Sequence, residues 1–411
     1  MKVSFSKKIN DLGLGEEENL LSRIKKEKEK NKTHIIDLTI SNPTQVGLDF
    51  PSDVFSHSLE KEPFSIYDPN PQGLLTARNA IAKDYRIRGS ELNPNDLVLT
   101  SSTSEAYSFL FKLLCNPGDE ILVPAPGYPL FHFLGELENV EVNEYDLLWD
   151  ESEKSWEYSL ALMQKKLKPS TKAVLLVSPS NPTGSILKER DWQEWFSWSE
   201  QKGIPLILDE VFASYIFEEN KVQELNYYPN TSKAPFFVLN GISKMLALPQ
   251  MKLSWIHVQG DADFREKSLS GLEIIADTFL SVNTPIQYTL NDLFSWKSMI
   301  QNKILSRVRR NLKFAKNCFE PEENNTANGQ SAHWTHGKAG WYGMVEIKNS
   351  KLSDEEFAEQ TLSESNIYMH PGNWFGFPED RTVLVVSLIV PEDQFQIGIK
   401  ELASLCKNSK I

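Results

Sequence analysis

Cysteine is scarce: three in 411 residues, Cys115, Cys318 and Cys406, odd in number and without a CxxC pair. That excludes a disulfide framework and a zinc ribbon, and a reducing compartment is the simplest reading. Histidine is scarce too; the seven do not cluster at metal-ligand spacing, so no metal is expected. Positive charge is in deficit. Lys and Arg total 43 against 56 Asp and Glu, a formal net charge of −13. A nucleic-acid binder would show a basic face instead. No run of roughly twenty apolar residues occurs, so no bilayer-spanning helix is expected. The opening MKVSFSKKINDLG has neither the apolar run nor the cleavage site of a secretory signal. Nucleic acid and membrane are thus not expected as partners, and the expected location is cytoplasmic. Motifs are missing as well: no GxGxxG after a strand, no GxxxxGK[ST] and no HExxH.

What remains is an ordinary globular composition, 40% apolar and 24% charged, in a chain long enough for two or three domains. The first 34 residues mix both charge signs and read as a solvated helix. LLTARNAIAKDYR reads as an amphipathic helix. From residue 97 short apolar runs recur: LVLTSS, EILVPAP, VEVNEYDL, KAVLLVSP, IPLILDE, FFVLNGIS and SWIHVQG. Helical patterns lie between most of them, which predicts an α/β fold with a mostly parallel seven-stranded sheet covered on both faces. VEVNEYDL alternates more and suits an edge strand. Residues 286–317 read as one or two long helices. The polar stretch EPEENNTANGQSAHWTHG reads as a surface loop. The runs WYGMVEI and TVLVVSLIV, with helices SDEEFAEQTL and FQIGIKELASL, make a smaller α+β domain. The expected division is 1–46, an N-terminal segment joining the small domain; 47–295, the large domain; and 296–411, the rest of the small one.

Four short polar clusters fall at C-terminal ends of predicted strands, the edge where open α/β sheets bind ligands. Thr100-Ser101-Ser102-Thr103-Ser104-Glu105 opens a helix and could cradle a phosphate, or simply cap the helix. Asn181-Pro182-Thr183-Gly184 could be a plain turn, Asp209-Glu210 a solvated strand end, and Ser243-Lys244 a surface lysine. Together, at these spacings, they carry chemistry.

The motifs YDPNPQGLLTARNAIA, TSSTSEAYSFLFKLLCNPGDEILVPAPGYPLF, SPSNPTG, LDEVF, GISK and LPQMKLSWI run in family order over residues 67–256. In this the sequence resembles the class I/II aminotransferases, pyridoxal 5'-phosphate enzymes of fold type I. The resemblance implies an amino-group transfer between a small-molecule amino donor and a keto acid. Lys244 would form the Schiff base with the cofactor aldehyde and shuttle the Cα proton. Asp209 would keep the pyridine nitrogen protonated, and Asn181 would donate to the phenolic oxygen. Tyr128 would stack on the ring. Ser102, Thr103 and Ser243 would hold the phosphate, with Lys252 supplying charge. Tyr67 would reach the phosphate of a neighbouring subunit, which implies a homodimer with active sites at the interface.

Four positions depart from the family pattern. Phe212 stands where LDEVF would otherwise carry a tyrosine beside the phenolic oxygen, leaving Asn181 as the expected sole donor there. Lys252 replaces the phosphate-binding arginine and Ser254 its glycine; lysine neutralises phosphate as a point charge rather than a fork. Val385 replaces the arginine that clamps the substrate α-carboxylate. Either another group holds the carboxylate instead, the candidates being Ser41, Asn42, Asn373 and Trp374 with Arg381 as a displaced clamp, or the preferred donor has no α-carboxylate beside its amine. A lyase of the same fold, by carbon–sulfur or elimination chemistry, and a non-catalytic binding or regulatory relative are the alternatives.

Overall fold

The computed structural model describes residues 5–13, 18–48, 67–218, 233–280, 282–319 and 332–408. After a short strand, β1 (Ile36–Asp37), the apolar runs become strands. These are β2 (Leu97–Thr100), β3 (Glu120–Ala125), β4 (Glu141–Asp146), β7 (Thr171–Val177), β8 (Leu206–Asp209), β9 (Phe236–Gly241) and β10 (Ser254–Gln259). A two-stranded hairpin, β5 (Leu148–Asp150) with β6 (Ser155–Glu157), interrupts the series. The seven strands form one sheet in the order β2-β10-β9-β8-β7-β3-β4. Every pairing is parallel except those of β10, which runs against both β2 and β9. All residues of β2, β3, β8, β9 and β10 are buried, whereas most of β4 is not, as its alternating sequence and edge position require.

Side chains alternate between two cores, as the pleat dictates. Leu97, Leu99, Leu122, Val174, Leu176, Leu206 and Leu208 face one way, toward Trp192, Trp195 and Phe196. Val98, Ile121, Val123, Leu175, Val177 and Ile207 face the other, toward Tyr107, Leu110 and Leu272. Helices Leu75–Ile87, Thr103–Leu114, Glu189–Lys202 and Ala262–Phe279 supply the covering layers.

Residues 284–319 form two helices, Thr284–Ser295 and Lys297–Phe319. Beyond them lies an antiparallel sheet in the order β11 (Ala332–Thr335), β12 (Tyr342–Ile347), β15 (Thr382–Ser387), β14 (His370–Pro371). β11 corrects the expected surface loop. Its ends, Ala332 and Thr335, are buried against the sheet despite the polar sequence around them, and residues 320–331 lie outside the described part. The N-terminal segment joins this region: β1 pairs in parallel with β13 (Ile367–Tyr368). Its charged run is two helices rather than one, Lys7–Asp11 and Leu20–Lys30, and the second is not wholly solvated. Leu21 is buried, and Lys25 both pairs with Asp37 at 2.8 Å and lies over the Tyr368 ring at 3.9 Å. Among the described residues no helix is long and apolar enough to cross a membrane.

Candidate active site

Parallel strands bring their C-terminal ends to one edge, and β10 brings its start there because it runs the other way. Ser254 is thus paired with both Thr100 and Gly241. Thr100, Asp209, Gly241 and the turns that follow them meet at this edge.

Asp209 ends β8 and is buried. The Tyr107 hydroxyl donates to its Oδ2 at 2.5 Å and the Val211 N–H to its Oδ1 at 2.9 Å. Burial pushes the carboxyl up to about 6; those two bonds and the nearby Lys244 amine keep it from rising further. Lys244 sits in the short helix Ile242–Met245 that leaves β9. Burial pushes its amine down to about 8, with Asp209 opposing the shift. Its Nζ lies 5.1 Å from the Trp341 ring centroid and 5.7 Å from that of Phe212. The Tyr215 hydroxyl donates to the Lys244 carbonyl at 2.5 Å, tying the turn down from below.

Asn181 is buried, and its Oδ1 has no hydrogen-bond partner. Its loop is pinned by close backbone approach. A Cβ on Gly184 would come within 2.5 Å of the Ala339 carbonyl oxygen, and one on Gly337 within 2.2 Å of the Gly184 carbonyl carbon. The Lys338 N–H donates to the Gly184 carbonyl across that contact at 3.0 Å. This seats the start of β12 beside Asn181. The Tyr342 hydroxyl then faces the side chains of Ser41 and Asn181, while burial pushes its pKa up to about 12. Tyr128 is half-exposed, edge-on to Phe131 at 5.7 Å, and its hydroxyl is raised by burial and by the Asp209 charge. The Gly127 N–H donates to the Phe375 carbonyl at 2.8 Å and holds that loop.

Ser102 caps the helix Thr103–Leu114: its hydroxyl accepts from the Glu105 N–H at 3.1 Å, and Glu105 accepts from the Ser101 N–H at 2.6 Å. Thr103 and Ser104 fill the first helical positions, whose N–H groups have no partner within the helix. The turn that carries the cap therefore also presents N–H groups that could meet an anion. Lys252 is exposed in the left-handed conformation (φ 53°), two residues before Ser254, which itself pairs with Thr100 and Gly241. Ser254 fits in place of glycine because Gly241 lies opposite: a Cβ on Gly241 would stand 2.1 Å from the Ser254 Oγ. Phe212 packs edge-on to Trp341 at 5.4 Å and to Tyr342 at 6.1 Å.

Not every expected residue arrives. Asn42 spends its side-chain oxygen on the Thr44 N–H (3.1 Å) and hydroxyl (2.8 Å), so it is a turn cap. Asn373 is exposed with its N–H on Asp354, and the Trp374 indole donates to Glu355 at 2.8 Å; both are tied to the helix Asp354–Ser365. Tyr67 is 73% exposed. Arg381 forks onto Glu346, with Nε to Oε1 at 2.8 Å, and stacks over Trp149 (4.5 Å) and Trp156 (4.9 Å). Tyr107 and Tyr342 went unread because isolated tyrosines in a helix and in a strand look like core. Among the described residues no group of His, Cys, Asp and Glu could hold a metal.

The chain matches the family model described as aminotransferase class I and II over residues 33–392. Tyrosine aminotransferase from Bos taurus is 27% identical over 399 residues, 94% of this chain and 85% of that protein. Glutamate-pyruvate aminotransferase AlaA from Escherichia coli K12 is 27% identical over 265 residues, 64% of each chain. Among solved structures, alanine aminotransferase from Pyrococcus furiosus superposes with a TM-score of 0.85 at 21% identity, covering 99% of this chain and 100% of that one. Tyrosine aminotransferase from Leishmania infantum gives 0.81 at 22% identity, with both chains covered completely. At those identities the structural likeness establishes the fold.

Proposed function

The chain belongs to the class I and II aminotransferases, pyridoxal-phosphate-dependent enzymes that pass an amino group from an amino donor to a keto acid, and from that premise we propose which residues carry the transfer. The strand-end groups fit the cofactor: a buried carboxylate for a ring nitrogen, a buried amide whose NH2 can donate to a phenolic oxygen, and a capped helix start with free N–H groups for phosphate. When bound, the cofactor offers an aldehyde for an amine to condense with and a protonated ring that withdraws electrons from the substrate's α-carbon.

Lys244 is the amine. Burial lowers its proton affinity toward the working range, so Nζ can both attack as a free base and carry a proton away from the substrate carbon. Asp209 accepts the proton-bearing ring nitrogen; the Tyr107 and Val211 donors orient its two oxygens for that contact. Asn181 donates to the phenolic oxygen, and Phe212, which lacks a hydroxyl, lines that side with apolar surface. Tyr128 covers one ring face from water. Ser102, Thr103, Ser243 and Lys252 hold the phosphate.

The observation that carries this reading is the opposed pair Asp209 and Lys244, one acid raised to about 6 and one base lowered to about 8 by a shared desolvated site. The same reading joins 1–46 with 296–411 as the smaller domain against 47–295. It makes the working unit a cytoplasmic homodimer in which Tyr67 reaches its partner's phosphate. The test is reductive trapping: borohydride treatment of the cofactor-loaded enzyme, then peptide mass mapping, should place the label on Lys244 and lose it in Lys244→Ala. Label on another lysine would overturn the assignment.

A further inference from the structure

We propose, resting on the aminotransferase reading of the site, that of the two substrates alternating in the pocket one carries a neutral hydroxymethyl or carboxamide group, not a carboxylate, on the carbon that bears its amine. The nitrogen leaves that carbon, which departs as a carbonyl, and is delivered to the keto acid, which departs as an amino acid. Electrons balance within the pair.

The second sheet presents one face to the site. Tyr342 lies opposite Ser387, Met344 opposite Val385 and Glu346 opposite Val383, so these side chains share a face with Arg381. Met344, Val383 and Val385 pack into the core of the large sheet, whereas Val345, Leu384 and Val386 pack into the other core. The face therefore points at the large sheet, and its Tyr342 end reaches Asn181 and Ser41. Its chemistry changes in order along its length: the Arg381–Glu346 ion pair, then apolar Val383, Met344 and Val385, then the hydroxyls of Tyr342 and Ser387.

The positive charge on this face cannot move to the reacting end. Arg381 is four residues from Val385, about 13 Å at roughly 3.3 Å per residue. Its guanidinium is neutralised by Glu346, which His333 also contacts at 3.2 Å, and it is stacked on two tryptophans. His370, across from Val385, is pushed down to about 4 by burial and is neutral at working pH.

The groups at the Tyr342 end of the face are neutral, and Ser387, which lies opposite Tyr342, and Asn181, which Tyr342 reaches, are short of partners. Ser387 is fully buried with its Oγ unpaired, and Asn181 is buried with its Oδ1 unpaired. If the Asn181 amide donates to the cofactor, its oxygen still needs a donor. An ionised carboxylate has none to give, while a hydroxyl or primary amide both donates and accepts. Val385 and Met344 add apolar wall where a buried anion would go unpaired. The keto acid is then the weaker-binding of the two substrates.

The test titrates cofactor-loaded Lys244→Ala, which binds amines without turning them over, with L-tyrosine, L-tyrosinol and L-tyrosinamide, and with L-alanine, L-alaninol and L-alaninamide, by visible absorbance. The alcohols or amides should bind about tenfold tighter than their parent acids. Tyr342→Phe and Ser387→Ala should narrow that gap, and Val385→Arg should reverse it. A parent acid binding as tightly as its neutral counterparts, or no probe binding at all, overturns the proposal. Borohydride labelling of wild-type Lys244 is scored separately: label present with acids preferred sinks this inference alone, and label absent sinks the functional reading beneath it.

Discussion

Asp209 is held in a state that costs the cofactor-free protein. Folding buries the carboxyl, and two hydrogen bonds only partly offset the loss of water, so its pKa rises from 3.8 to about 6. A carboxyl whose pKa is raised on folding binds its proton more tightly in the native state. Its stabilising contribution is present below about pH 4 and is lost as the pH rises through about 6, roughly 3 kcal/mol in all. In denaturant titrations of cofactor-free protein, Asp209→Asn should therefore be more stable than wild type at pH 7.5, with the difference shrinking toward pH 5. Equal stability at pH 7.5 would mean that other groups already satisfy the carboxylate. Lys252 is exposed, and on the proposed reading its charge acts only when phosphate is present. Lys252→Ala should weaken cofactor binding by about 1.5–3 kcal/mol, the worth of a charge-assisted contact. Equilibrium dialysis reads it, and unchanged retention would move the phosphate away from the start of β10. Phe212 shows where reading a residue singly runs out. Its missing hydroxyl pointed to Asn181 as sole donor on that side, yet the Tyr342 hydroxyl, contributed by the second sheet, also faces Asn181.

At the level of elements, the site depends on how closely two loops approach. The NPTG turn and the segment leading into β12 touch backbone to backbone at Gly184 and Gly337, and no side chain can yield between them. Gly337→Ala would set a methyl 2.2 Å from the Gly184 carbonyl carbon and 2.3 Å from the Thr183 carbonyl oxygen. We expect a loss of about 1–3 kcal/mol from this overpacking, together with weaker cofactor binding because Asn181 shifts with its loop. Thermal unfolding and cofactor titration check the two effects; a variant that loses neither would show that the loops can separate freely. The strands themselves were legible because apolar runs bounded by turn residues are a local signal. The β5–β6 hairpin and β11 were not. Three- and four-residue strands in polar surroundings are set by neighbours, as when Trp149 packs edge-on to Trp156 at 5.4 Å.

For the whole molecule, the exposed Tyr67 ring carries the expectation of a pair of chains. Sedimentation equilibrium should return twice the chain mass. Mixing Tyr67→Phe with Lys244→Ala should give hybrid dimers with one site carrying both lesions and one carrying neither. Such mixtures should regain activity that neither parent shows in full. A fully active monomer would remove Tyr67 from the phosphate site. The sequence alone determined the seven-stranded α/β sheet and singled out Asn181, Asp209 and Lys244 as the proposed cofactor residues, because apolar runs and the short motifs closing them are contiguous in the chain. It also marked the absence at Val385. Only the tertiary structure decided what stands there instead. Tyr342 reaches Asn181 and Ser41, with Ser387 opposite it, through the register of β12 against β15 and the docking of two cores. Arg381 is withheld by Glu346 and two tryptophans that no local pattern connects to it. Those contacts join residues from 35 to more than 200 positions apart, and side-chain spacing along the chain carries no record of them.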